Sequence, residues 1–245
     1  MATQPSRVLR PEGGAPRAAS PRHPTSMRRW ARVGIAAQVI FVASWLAAVF
    51  WQGPRYSPMS MSISDMYAVT APHGSFLVVL LTDCGAATIL FALFSLRPVL
   101  RPGGRAATIA AALLALSVAG LGDLLSPAER LACRMADPGC TSALQVSNSG
   151  GKLDGNLTTI GVLLLVAAGF FLAHAMARVP GWQAWARPAR ATAVLILALT
   201  IADAVTQDAG LSGLFERLVA ATAAAAIAAL AVGILRRSRT EGARR

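Results

Sequence analysis

Charge is what this sequence has least of. Only 14% of its 245 residues are Asp, Glu, Lys or Arg, against about 25% in a soluble domain, and that shortage excludes an ordinary water-exposed globule. Sustained alternation of apolar and polar residues is also missing, which excludes an outer-membrane barrel. Cysteine and histidine occur three times each. Two cysteines without a neighbouring histidine make no zinc site, and no other metal-ligand or nucleotide-binding pattern is legible. No internal repeat gives ground for an inverted-repeat transporter.

What fills the chain instead is hydrocarbon. Six apolar segments, at 31–52, 75–96, 106–125, 157–177, 191–208 and 214–235, approach the ~20 residues that span a bilayer as a helix. Asp203 and Gln207 interrupt the fifth. With Thr200 they fall at i, i+3 and i+7, so one face of that helix is polar and the others remain apolar. The net charge of +12 does not imply a nucleic-acid partner, because the basic residues lie in connections. Six precede the first segment and Arg32 stands at its start, three lie in 97–105, three in 178–190 and five follow residue 235, so 18 of the 23 share one side. That side is cytoplasmic by the positive-inside rule. The expected fold is an all-α polytopic bundle of six transmembrane helices in the inner (plasma) membrane, with both termini cytoplasmic. Residues 1–29 read as a disordered basic tail, 30–235 as the membrane domain and 236–245 as a second basic tail. Membrane lipids are the expected partners.

The unusual residues collect in two outer loops, about 53–74 and 126–156. Cys133 and Cys140 bracket CRMADPGC, with Asp137, Pro138 and Gly139 supplying a turn. On an oxidising outer face they are expected to form a disulfide. Cys84, inside the second segment, reads as a small buried hydrophobe. Trp182 and Trp185 read as headgroup-level anchors. ATAAAAIAALAVG in the sixth segment offers a small-residue face for close helix packing; association with a second copy is the alternative use of that face.

Carboxylates carry the candidate chemistry. Asp83 in VVLLTDCGAATIL sits deep in the second segment, where an ionised Asp costs about 3 kcal/mol. Asp123 and Asp203 lie near the outer ends of the third and fifth segments, and Asp65 and Asp154 in outer loops. All five are expected to converge on one outward-opening cavity. Three roles stay open. The aspartates can fix helix register by bonding hydroxyls or Arg217. They can act as acid and base on a lipid or isoprenoid substrate, with Asp83 or Asp203 donating a proton and Asp65 or Asp123 stabilising positive charge. They can bind a cation or relay protons for a coupled transporter. Tyr56, Ser64, His73, Asp154, Asn156 and Gln207 are the accompanying candidate binding residues. A non-enzymatic protein that binds or moves a lipid or small amphiphile is the leading expectation, with the cofactor left open.

YSPMSMSISDMYA in the first outer loop (Tyr56, Pro58, Ile63, Ser64, Asp65) resembles the domain of unknown function 998 family of bacterial six-helix membrane proteins. The second loop, with its Asp-Pro and paired cysteines, is similar to actinobacterial members. The resemblance implies fold and topology and assigns no activity. Two positions depart from it. Tyr67 stands where relatives often have glycine, and Asp154 and Asn156 stand where they often have a histidine.

Overall fold

The computed structural model describes residues 24–243, and among these every regular element is helical. Six principal helices follow one another: α1 Pro24–Ala48, α2 Gly74–Phe91, α3 Arg105–Leu116, α4 Ser149–Arg178, α5 Gln183–Val205 and α6 Ser212–Ala243. They close into a ring in which α1 packs on α2 and α6, α4 packs on α3 and α5, α5 packs on α6, and the α3 segment meets α2.

Five stretches are long and apolar enough to cross a bilayer: Ser26–Trp51, Gly74–Gly103, Ser149–Arg178, Gln183–Val205 and Ser212–Ser238. The second is extended because α2 runs on through a π-turn at Ala92–Leu96. The third segment differs from the continuous span expected at 106–125. Its helix ends after 12 residues at Leu116, because Ser117 turns extended (ψ 175°), and a π-turn follows at Val118–Gly122. At ~1.5 Å per residue α3 is too short to cross alone. Two glycines accommodate the break. A Cβ on Gly161 of α4 would lie 2.7 Å from the Val118 nitrogen, and one on Gly85 of α2 would lie 2.9 Å from the Asp123 carbonyl carbon.

Other boundaries move for local reasons. α4 starts at Ser149, well inside the expected loop, since the Asn148 side chain caps it by accepting from the Gly151 N–H at 2.7 Å. α5 starts at Gln183, so Pro188 and its flanking arginines are helical and not part of a connection. Pro188, lying six residues in, lacks the N–H that would bond the preceding turn. The tail drawn to residue 29 ends by Pro24, where α1 begins, and the rest of it lies outside the described residues. The second tail is helical as far as Ala243. Trp182 is fully buried against Trp185 and under the Arg237 guanidinium, inside the protein and not at a surface belt.

The core forms two bodies. The larger joins α3, α4 and α6 through residues such as Leu114, Leu172 and Ile227. The smaller sits at the long-loop end, where Tyr56, Ile63, Met66 and Tyr67 of the first loop pack on Trp45 of α1 and on Leu77 and Leu81 of α2. The first loop is therefore folded into the bundle end.

Candidate functional site

The first loop ends in a buried 3₁₀ turn, Ser64–Tyr67. Ser62 and Asp65 fasten it reciprocally. The Asp65 carboxylate accepts from the Ser62 N–H at 3.1 Å and its hydroxyl at 3.0 Å, while the Asp65 N–H donates to the Ser62 hydroxyl at 3.0 Å, an arrangement of the capping-box kind. The other Asp65 oxygen accepts from the Met135 N–H and the Gln145 amide, each at 2.8 Å. Burial pushes the Asp65 carboxyl above its ordinary range, opposed by the bonds from Met135, Ser62 and Gln145.

The second loop grips the first from above. Arg130 donates to the carbonyls of Tyr67 and Ala68 at 2.8 and 2.9 Å, and the Val69 N–H donates to the Leu131 carbonyl at 2.9 Å. Arg134 pairs with Asp137 at 2.6 Å and donates to the Gln52 carbonyl at 2.9 Å. Although its modest burial acts to raise the Asp137 carboxyl, the bonds from Arg134 and Thr70 outweigh it and hold that carboxyl below its usual value. The expected disulfide joins Cys133 to Cys140, with Cα atoms 6.1 Å apart.

From below, the heads of α4 and α6 complete the clasp. Asp154 accepts from the Ser64 hydroxyl at 2.8 Å and the Tyr67 hydroxyl at 3.4 Å. Glu216 accepts from the Ile63 N–H at 3.0 Å. Arg217 donates to the carbonyls of Pro58, Met61 and Gly213 at 2.7–2.8 Å and to the Tyr56 hydroxyl. Arg217 is thus occupied by backbone and tyrosine, and does not serve Asp83 or Asp203.

Under this clasp lies a cavity of about 90 Å³. Its polar wall is Gln38, Ser64, Tyr67, Asp123, Ser126, Glu129, Thr158 and Glu216, and its apolar wall includes Leu81, Val162, Leu165 and Ala223. Val118, Ala119 and Gly122 of the broken third segment line it as well. Irregular backbone at membrane depth is tolerated where it is buried in protein or faces a cavity, and π-turns recur at functional sites. A second cavity of about 110 Å³ lies between α3, α4, α5 and α6, with Thr192 the one polar side chain among its walls. Leu165 and Ala223 belong to both. A polar chamber and an apolar crevice therefore share a wall.

The expected convergence of five aspartates is corrected in part. Asp123 lines the chamber, Asp154 meets it through Ser64 and Tyr67, and Asp65 holds the loop that roofs it. Asp83 is exposed on the outside of α2. Leu77, Leu81, Cys84 and Thr88 face inward, and at ~100° per residue Asp83 is carried off that face. Asp203 lies two turns past Ile196, the last buried residue of α5, with one carboxylate oxygen sequestered and unpartnered. Neither lines either cavity. His73 is exposed and edge-on to Trp51 at 6.1 Å; Asn156 and Gln207 are exposed too. Tyr56 is buried beneath Arg217.

Sequence reasoning missed Glu129, Glu216 and the chamber role of Tyr67. Glu129 is 4% exposed and its Oε1 has no hydrogen-bond partner. Burial, then Asp154 and Asp123, push its carboxyl up to about 8. Its one signal was being the first acid after the third apolar segment. Among the described residues no group of three or more His, Cys, Asp or Glu is placed to hold a metal ion.

A ring of helices, five of them long and apolar enough to span a bilayer, defines a multi-pass helical membrane protein. Within that class, the family described as "Protein of unknown function (DUF998)" matches residues 35–233, and the chain belongs to it. No curated protein and no solved structure matches the chain.

Proposed function

We propose that this chain is a six-span plasma-membrane protein, its termini cytoplasmic, whose outward-facing acidic chamber binds or handles a lipid or small amphiphile. The observation that carries the reading is the wall shared by the polar chamber and the apolar crevice at Leu165 and Ala223. A head group and its hydrocarbon chain need that juxtaposition, since pockets for such ligands are mostly apolar with a few fixed polar groups. The orientation draws on the arginine asymmetry. Counting the third segment as a span draws on α3 continuing through a buried break and a π-turn, the form in which discontinuous helices border binding sites in other membrane folds.

Purification in mild detergent, followed by extraction and mass spectrometry, tests the reading. Wild type is expected to retain an amphiphile that Ala223→Phe, which fills the junction, has lost while still eluting from a sizing column as the same folded, monodisperse species. A wild type that carries no amphiphile, or a variant that keeps it equally, sinks the reading.

A second reading, a membrane-embedded acid–base enzyme acting on a lipid or isoprenoid, draws on Glu129 titrating at about 8, close to the range where a general acid or base is most effective. Turnover of the carried amphiphile by wild type and not by Glu129→Gln separates it from simple binding.

A further inference from the structure

The polar chamber is lined by Asp123, Glu129 and Glu216 and by no Lys, Arg or His. Glu216 is answered by the Ile63 N–H. Glu129 is answered by nothing: it is 4% exposed and its Oε1 is buried without a hydrogen-bond partner. The neighbouring guanidinium groups are turned elsewhere, Arg130 to the carbonyls of Tyr67 and Ala68 and Arg217 to those of Pro58, Met61 and Gly213. The ion pair that the loops do form, Arg134 with Asp137 at 2.6 Å, lies outside the chamber.

A buried carboxyl oxygen without a donor is costly, and a charged donor is its strongest complement. The chamber's volume of about 90 Å³ is well above what a single water needs. That suits an ammonium group with its first carbons, whose chain continues past Leu165 and Ala223 into the apolar crevice. An anionic head group would meet three carboxyls and no cation.

We infer that the chamber selects amphiphiles with a protonated amine head group, and that the Glu129 carboxylate is its hydrogen-bonding anchor. This rests on the amphiphile reading and names its ligand class. Without ligand, Glu129 holds a proton at neutral pH, because burial and then Asp154 and Asp123 push it up to about 8. Asp123 and Glu216 line the chamber with it, Asp154 and the Tyr67 hydroxyl border it, and the Arg130 charge is turned to carbonyls. Binding of an alkylammonium therefore releases the Glu129 proton to solvent, and amine affinity rises with pH while the amine itself stays charged.

The test uses the full chain in neutral maltoside detergent, with octylamine, octanol and octanoate titrated against its melting temperature to give apparent affinities. Octylamine is expected to bind about tenfold more tightly than octanol, octanoate more weakly than either, and the amine preference to grow from pH 6 to 8.5. The chain's net charge of +12 favours octanoate non-specifically, so bulk charge cannot produce this order. Glu129→Gln is expected to bring octylamine down to the level of octanol. If that variant fails to fold, the pH dependence of the wild-type preference decides instead. Equal binding of amine and alcohol, a preference that is flat with pH, or a preference retained in Glu129→Gln overturns the inference and leaves the amphiphile reading standing. Binding of none of the three overturns both.

Discussion

The carboxylate of Asp65 in the first loop accepts the side-chain amide of Gln145 in the second at 2.8 Å. Eighty residues apart in sequence, the two form a direct side-chain link between the loops that roof the chamber. Asp65 also takes the Met135 N–H at 2.8 Å and both donors of Ser62, so all its bonds serve the clasp. Asp65→Ala would orphan these donors and is expected to cost about 3 kcal/mol, read as a lower melting temperature in detergent. Gln145→Ala is expected to cost less, and the double variant less than the sum, because the two remove one shared bond. Additive losses would disprove the coupling.

The Cys133–Cys140 bridge closes a loop with a sequence separation of 7. Constraining so short a loop in the unfolded chain is worth about 2 kcal/mol. Reductant is therefore expected to lower the wild-type melting temperature by a few degrees and to leave a Cys133→Ser/Cys140→Ser variant unchanged. An identical response in both would mean the bridge does not stabilise the fold.

Proton linkage gives stability a definite slope. Asp65 and Glu129 are both held above their ordinary carboxylate values, Glu129 at about 8. Between its unfolded value and about 8 the folded chain keeps the Glu129 proton that the unfolded chain has released, so this group's contribution falls as pH rises through that window. Asp137, held low beside Arg134, acts oppositely, and its contribution is lost only as pH falls below the ordinary carboxylate range. Melting temperature is expected to decline from pH 5 to 9, with Glu129→Gln flattening the decline. A wild-type curve that rises over that range contradicts the assignment.

Helical class, span positions and the loop disulfide were legible because they depend on composition, length and turn chemistry, which are local. The broken third segment was not. Its apolar residues run unbroken through Ser117, and what permits the break is the absence of a Cβ on Gly85 and Gly161, far away in sequence. The site was legible as a kind of chemistry and not as a set of residues. Asp65, Asp154 and Ser64 do meet at the long-loop end, whereas Asp83 drew attention by its depth alone and faces outward. Tyr67 and Asp154, 87 residues apart in sequence, touch each other, hydroxyl to carboxylate at 3.4 Å. A change at either alone would leave the other with the Ser64 hydroxyl as its side-chain partner, and single-position reading could not see that three-way contact.

Asp83 offers the clearest separation between the bundle's outside and its chamber. It is exposed on α2 in a row with Phe76 and Val79, spaced at helical intervals along one face. An ionised carboxyl there works against the membrane, at about 3 kcal/mol on insertion scales, and no cavity wall includes it. Asp83→Leu is therefore expected to leave octylamine affinity within about twofold of wild type and not to lower the melting temperature. Glu129→Gln, at a buried site, is expected to abolish the amine preference. Should Asp83→Leu remove amine binding instead, the chamber beneath the clasp is not where the ligand sits, and the lipid-facing side of α2 becomes the surface to explain.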